Sequence, residues 1–467
     1  MDRRTFVGVA LASPVVTQAV NVDQFGVEPG RDEDMTGALQ RAVDAGVGDL
    51  FLPKGTYRVE GTVEIRLDET GFTSLFGMGG AKILKTGPGP AFLFRGTHQG
   101  TAGPSSFEER VWQNERMPLI AGIEIEGDHP ESVGIELFRT MQATLTNLLI
   151  RRCRVAVHLS QRNRNFVLSH CHLYHNRDLG VWFDHVNLHQ AIVANCHISY
   201  SSKAGIKMDG GEIRNLQISG NDIEYNYDNE IEDCADVYFD TREAGSTFRE
   251  ATIIGNTIQA RTSPGGANVR FLGGEGLRSS GMMAITGNMI GSQTDNIHLV
   301  DCRGVSISGN YIYSAADRSI RMSQCDNVVV NGNSIDWNPD YGSKHLLDGI
   351  AMNACRGVQI TGTVIENSLN GSEEAGGAVE IAECEDVSID GCQILDSKFR
   401  GVTVTASKRC RISNSTVVDR MDPPRMLASI EVDEQSSDIL ASGNFLQAGK
   451  LKAGGNVATR DNHEVTP

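Results

Sequence analysis

The chain has 467 residues, 40% hydrophobic and 6% aromatic, with 51 glycines and a formal net charge of −17. That charge argues against the phosphate backbone of a nucleic acid as a partner, and no stretch reaches the ~20 apolar residues that span a bilayer. Length alone would suggest about three domains of ~150 residues, a prior that an internal repeat overrules.

Residues 1–19 open with Asp2-Arg3-Arg4-Thr5-Phe6, followed by an apolar run over 7–16 and small residues. Paired arginines before such a run predict a twin-arginine-like export signal, hence a periplasmic or extracellular protein. Residues 20–60 read as a capping module. Met35, Ala38, Leu39, Ala42 and Val43 follow helical spacing, with Asp34 as N-cap. Such a helix would plug the apolar end of a solenoid. Residues 61–447 carry the repeat, and 448–467 read as a polar tail or weak cap. A Gly-, Ser- and Pro-rich insertion with Trp112 interrupts the rhythm at 96–118, and shorter excursions fall at 226–236, 338–347 and 367–377.

The repeat is a short phrase ending in Gly-Asn-x-Ile: LQISGNDI, ATIIGNTI, MAITGNMI, VSISGNYI and VVVNGNSI. Its asparagines are Asn221, Asn256, Asn288, Asn310 and Asn333, so the gaps are 35, 32, 22 and 23 residues. Cys171 and Cys196 fill the slot in two earlier copies. Period-two alternation inside each copy predicts strands, and a unit this short must stack on its neighbours to own a core. The predicted fold is all-β, a right-handed parallel β-helix of about 12 coils. The ten cysteines fall in vertical stacks and read as small core hydrophobes rather than metal sites or catalytic thiols. His170, Cys171, His172, His175, His185, His189 and His197 invite a zinc reading, but Cys171 faces inward and only His172 and His197 occupy equivalent places, short of the three or four ligands zinc wants.

A resemblance supports the fold. Phe25-Gly26-Val27, Asp34, Thr36, Ala38-Leu39-Gln40, Ala42-Val43-Asp44-Ala45 and Leu52-Pro53-Lys54-Gly55-Thr56-Tyr57 resemble the N-terminal module of the pectate-lyase superfamily of right-handed β-helix proteins. Glu28-Pro29-Gly30 replaces that family's Asp-Gly pair. The resemblance implies a polysaccharide-active or glycan-binding protein, and homotrimers occur among related folds. It does not specify a reaction.

A second strand in each coil carries the candidate chemistry. Copies read AVHLS, GVWFD, GIKMD, DVYFD, NVRFL, NIHLV and SIRMS, continuing to SIEVD at 429–433. Second and fourth residues are apolar and face inward, so third and fifth face outward. The third-position column is His158, Trp182, Lys207, Tyr238, Arg270, His298 and Arg321; the fifth includes Asp184, Asp209 and Asp240. At ~4.8 Å per coil the column forms a strip several sugar rings long. Trp182, Arg270, His298 and Arg321 are the candidate substrate-binding residues. Three aspartates on successive coils resist ionising together unless a lysine, a bound cation or a shared proton compensates. Asp184, Asp209 and Asp240 are therefore candidate Ca²⁺ ligands, the alternative being no cofactor.

The cation-rich column favours an anionic glycan, uronate-containing or sulfated. The first expectation is a lyase acting by β-elimination, with Lys207, Tyr238 or His158 as general base. Superfamily pectate lyases are similar in setting acidic calcium ligands beside Lys and Arg. The alternatives are a glycoside hydrolase using an aspartate acid/base pair and a non-catalytic glycan-binding or surface-attachment β-helix. The NTD, DD, GHG and RIK signatures of superfamily polygalacturonases are absent.

Overall fold

The computed structural model describes residues 20–100, 104–274, 280–340, 346–447, 449–454 and 456–465. The export signal expected at 1–19 lies outside them.

A representative coil runs through strands Ala204–Asp209, Glu212–Ser219 and Asp222–Glu224, which give the solenoid its first, second and third walls. Each strand pairs in parallel with its equivalent one coil away. The first wall runs in register from Val63 through Phe92, Ile135, Val157, Val181, Ile206, Val237, Val269, Ile297, Ile320, Ile350, Val379, Val402 and Ile430 to Leu451. Every residue of that file except Leu451 is buried, and all fourteen join one continuous core. The fold is a parallel β-helix. With fifteen residues in this file, it is longer than the expected dozen coils.

That phrase works through two backbone demands. Gly220, Gly255, Gly287, Gly309 and Gly332 turn the chain at φ between 61° and 65°, a region that glycine enters without penalty. The following asparagine is buried. Asn288 Oδ1 accepts from the backbone N–H and the Nδ2 of Asn256, both at 3.0 Å, and Asn288 Nδ2 donates to Ile253 O at 3.0 Å. The ladder satisfies corner groups that would otherwise be buried unpaired. Cys171 and Cys196 continue its file with thiols inside the core.

Helix Thr36–Asp44 buries Ala38, Leu39, Ala42 and Val43 against the first coils. Met35 holds the N-cap position and lacks a side-chain cap bond. Asp34, expected there, still accepts from the Thr36 N–H at 3.0 Å and also from the Glu60 N–H at 2.9 Å. Residues beyond 447 add strands Leu451–Ala453, Val457–Arg460 and His463–Val465, one on each wall, so this segment extends the solenoid. No helix among the described residues is long and apolar enough to cross a membrane.

Candidate active site

The first wall aligns Glu136, His158, Trp182, Lys207, Tyr238, Arg270, His298 and Arg321 in one file, and Ser160, Asp184, Asp209 and Asp240 in the next outward-facing file. Alternation along each strand puts both files outside while Val181, Phe183, Ile206, Met208, Val237 and Phe239 fill the core.

The file divides into two clusters. In the first, His158 stacks on Trp182, with centroids 4.6 Å apart and planes 16° from parallel. His158 Nε2 lies 3.0 Å from Asp184 Oδ2, and His158 Nδ1 lies 3.6 Å from Glu136 Oε2. Asp184 Oδ1 meets His185 Nδ1 at 2.6 Å, and His185 Nε2 meets Glu243 Oε2 at 2.9 Å. Acid and imidazole therefore alternate over five residues, from half-buried Glu136 to exposed Glu243. Gly210 makes the last step sterically possible: a Cβ there would sit 2.4 Å from Glu243 Oε2 and 2.7 Å from the His185 ring. Trp182 Nε1 donates to Asp209 Oδ2 at 2.8 Å, and Lys207 Nζ lies 3.0 Å from Asp209 Oδ1. Arg242 spans both oxygens of Asp240. Trp182, His185, Asp209, Gly210, Asp240, Arg242 and Glu243 line a cleft of about 630 Å³.

Charges in this cluster sustain one another. Burial opposes ionisation of Asp184, but hydrogen bonds from His158 and His185 hold its carboxyl below the usual range. Burial likewise opposes charge on Glu136, outweighed by His158, and on Asp240, outweighed by Arg242. His158 is raised: burial disfavours the imidazolium, and hydrogen bonds to Asp184 and Glu136 more than offset it. His185 is raised by its bond to Asp184. Burial pushes the Tyr238 phenol up.

These contacts revise two expectations. The aspartate trio is in register, but each carboxylate faces its own partner: Asp184 the imidazoles, Asp209 the lysine, Asp240 the arginine. Among the described residues, no three His, Cys, Asp or Glu side chains gather to hold a metal ion, so the expected Ca²⁺ cage is not assembled. Trp182 is partly buried against Val133, Val155, Leu179 and Ala204. With one face against His158, it meets the cleft as a pillar rather than an open platform.

The second cluster departs further from expectation. The Arg270 side chain is only 3% exposed, because the excursion at 226–236 folds over it. Asp233 Oδ1 lies 2.9 Å from Arg270 Nη1, the carbonyls of Asp233 and Gly265 accept from Nη1 and Nη2, and Nε is buried with no partner among the described residues. Arg321 is forked onto Asp295 at 2.7 and 3.0 Å and also reaches Asp317. His298, between them, is pushed down to about 4 by burial and then by Arg270. Arg270, His298 and Arg321 share the wall but not the cleft, and Arg270 is placed as an internal strut.

Glu136, Arg242 and Glu243 go unnoticed in the sequence, and His185 enters only among the histidines of the zinc reading. Glu136 had a signal, since Gly134-Ile135-Glu136-Leu137-Phe138 is one more copy of the strand pattern. His185 sits at a positive-φ corner within strand Leu179–Ala194, and Arg242 and Glu243 follow strand Ala235–Asp240 in a loop where no period applies.

A parallel solenoid with an outward acid–imidazole cleft defines the class of protein. The family model described as "Right handed beta helix region" matches residues 111–258 and 228–417, and the chain belongs to that family. No curated protein matches it. Among solved structures, the catalytic unit of a thermostable GH87 alpha-1,3-glucanase from Streptomyces thermodiastaticus is similar at 15% identity, covering 98% of this chain and 71% of that one, TM-score 0.44. Tailspike protein 3 of bacteriophage CBA120 is similar at 12% identity, over 95% of this chain and 59% of that one, TM-score 0.40. The A-module of a mannuronan C-5 epimerase from Azotobacter vinelandii is similar at 13% identity, over 96% and 99%, TM-score 0.32.

Proposed function

We propose that this chain is an exported polysaccharide-active β-helix that cleaves a glycan in the cleft beside Asp209, Asp240 and Glu243. The observation that carries the reading is the joining of ionised carboxylates and raised imidazoles on one outer wall. Hydrolysis fits this cleft best. Asp209 or Asp240 takes a proton from a water whose oxygen attacks the anomeric carbon, and the His185 imidazolium gives its proton to the departing sugar oxygen. The held-down Asp184 and Asp240 make poor proton donors, which leaves that role to an imidazole.

The cations that favoured an acidic substrate are already engaged: Lys207 with Asp209, Arg270 with Asp233 and Arg321 with Asp295. A uronate carboxylate would have to displace one of them, so a neutral glycan fits better than an anionic one. One observation favours β-elimination as a second reading. The Tyr238 ring lies 5.2 Å from Lys207 Nζ and 5.5 Å from Arg270 Cζ, and the Arg270 charge works against the burial that raises this phenol, the group that would abstract the proton.

The test incubates the full chain with neutral and uronate-containing polysaccharides and follows both reducing ends and the ultraviolet absorbance of unsaturated products. Hydrolysis raises reducing ends alone, and elimination raises both. A non-catalytic binder raises neither while still being retarded in a glycan gel. Full turnover by an Asp209→Asn variant would remove this cleft as the site. Sedimentation of the same sample tests the homotrimer that the superfamily resemblance suggests.

A further inference from the structure

The second wall presents an outer face unlike that of the first. One of its outward files runs in register from Thr144 through Val167, Ile192, Gln217 and Thr252 to Gln359, and the other from Thr146 through Ala194 and Ile254 to Thr361. Over those nine coils neither file contains a charged residue. The first wall, by contrast, puts an ionisable side chain on every coil from Glu136 to Arg321. In a chain that is 22% charged, an idle outer face would carry some of those charges.

Within this strip three successive coils line a cavity of about 310 Å³ with Asn165, Val167, Gln190, Ile192, Asn215 and Gln217, and no charged residue lines it. Each strand bends there at a positive-φ residue, Asn165 at 55°, Gln190 at 64° and Asn215 at 56°, so one amide per coil stands at the bend. Neighbours orient these amides. Asn165 Nδ2 donates to Gln190 Oε1, which leaves Gln190 Nε2 as a donor. Asn215 Nδ2 donates to His189 Nε2 at 3.0 Å, which leaves Asn215 Oδ1 as an acceptor. Gln217 is exposed, and its amide makes no hydrogen bond among the described residues, so it offers both. Ile192, 37% exposed, and half-buried Val167 add an apolar surface beside the amides.

A sugar ring matches this lining. Its hydroxyls each donate and accept, as a side-chain amide does, and its C–H groups suit the apolar surface. No cation in the lining answers an anionic substituent. We propose that the cavity is a second binding site for a neutral glycan, with the uncharged strip beyond it as the track on which the polymer lies. A second copy of the chain is a poorer occupant: at ~4.8 Å per coil and ~3.3 Å per residue the strip covers roughly 500 Å², less than the ~800 Å² each partner buries in a stable interface. The same coils carry the cleft, since strand Leu179–Ala194 holds Trp182 and Asp184 on the first wall and Gln190 and Ile192 on the second. Six residues of extended chain span at most ~20 Å, so a polymer held at Gln190 is tethered beside Asp184 without being cut where it is held.

The test uses saturation-transfer NMR with cellohexaose, maltohexaose and mannohexaose on the full chain carrying Trp182→Ala and Asp209→Asn, which disable the cleft. At least one oligosaccharide should still bind. Adding Gln190→Ala together with Gln217→Ala removes two amides, and adding Ile192→Lys instead sets a cation in the cavity. Each addition should weaken that binding about tenfold or more, the loss expected for two hydrogen bonds. All three positions are exposed, so the core is untouched, and circular dichroism checks the fold. Unchanged binding in either folded variant overturns the proposal, as does the failure of all three sugars to bind the cleft-disabled chain. A dimer in sedimentation that Ile192→Lys dissociates would assign the strip to a second copy and overturn it too. Cleavage by the unmodified chain enters none of these criteria, so this site and the first-wall cleft fail separately.

Discussion

His158 is held on three sides at once: its ring lies flat on Trp182, its Nε2 faces Asp184 at 3.0 Å, and its Nδ1 faces Glu136 at 3.6 Å. A histidine between two carboxylates is a charge clamp whose strength depends on pH.

The signs give a window. His158 is raised above its ordinary 6.5, so its contribution is complete below that value and fades as pH climbs through the higher folded pKa. Asp184 and Glu136 are lowered from 3.8 and 4.5, so theirs is complete above those values and fades as pH falls through the lower folded pKa. The clamp is whole between about pH 4.5 and 6.5. Asp184→Asn should lower the His158 pKa, read from the imidazole proton by NMR. It should also cost about 1–2 kcal/mol in urea unfolding at pH 6, the range for a partly exposed charged hydrogen bond. An unchanged His158 titration would dissolve the clamp.

The asparagine ladder predicts a position-dependent cost. Asn288→Ala strips the acceptor from two Asn256 donors and the donor from Ile253 O. Leaving such groups buried and unpaired should cost on the order of 3 kcal/mol. Asn333→Thr should cost less, because the run of asparagines is already broken at the next coil by Thr363, whose hydroxyl faces the Asn333 N–H at 3.5 Å. Denaturant midpoints of the two variants provide the comparison, and equal losses would argue against a cooperative ladder.

Ten free cysteines, all buried, predict a chemical silence. Burial pushes the Cys153 thiol up to about 12 and the Cys410 thiol up to about 11, and the thiolate is the reactive form. The native chain should give almost no reaction with Ellman's reagent at pH 8, and all ten should react in guanidinium chloride. Rapid native labelling would mean that the solenoid opens locally.

What the sequence made legible follows from periodicity. The Gly-Asn corners and inward files recur because every coil solves the same packing problem, and they revealed the solenoid, its capping helix and the outward line from His158 to Arg321. Asp184, Asp209 and Asp240 came out in register for that reason. Features set by a single excursion had no period to betray them. Asp233 lies in a one-off loop, so the burial of Arg270 was invisible. His185 and Glu243 are joined across a glycine whose importance lies in a contact between coils.

Arg270 supplies the sharpest contrast between the two levels. As a substrate-binding cation, its loss should weaken glycan binding and leave the fold intact. As a buried strut on Asp233 and two loop carbonyls, its loss should do the reverse. Removing one partner of a buried pair costs ~3–5 kcal/mol, and the 65% exposure of the Asp233 side chain sets the expectation at or below the low end. Arg270→Met keeps most of the volume while deleting the charge, so lost packing contributes little. The variant should lose about 2–3 kcal/mol in denaturant unfolding and gain protease sensitivity within 226–236. Retardation in a glycan gel should change less than for Asp209→Asn. Weakened glycan binding with undiminished stability would put Arg270 back among the residues that touch substrate.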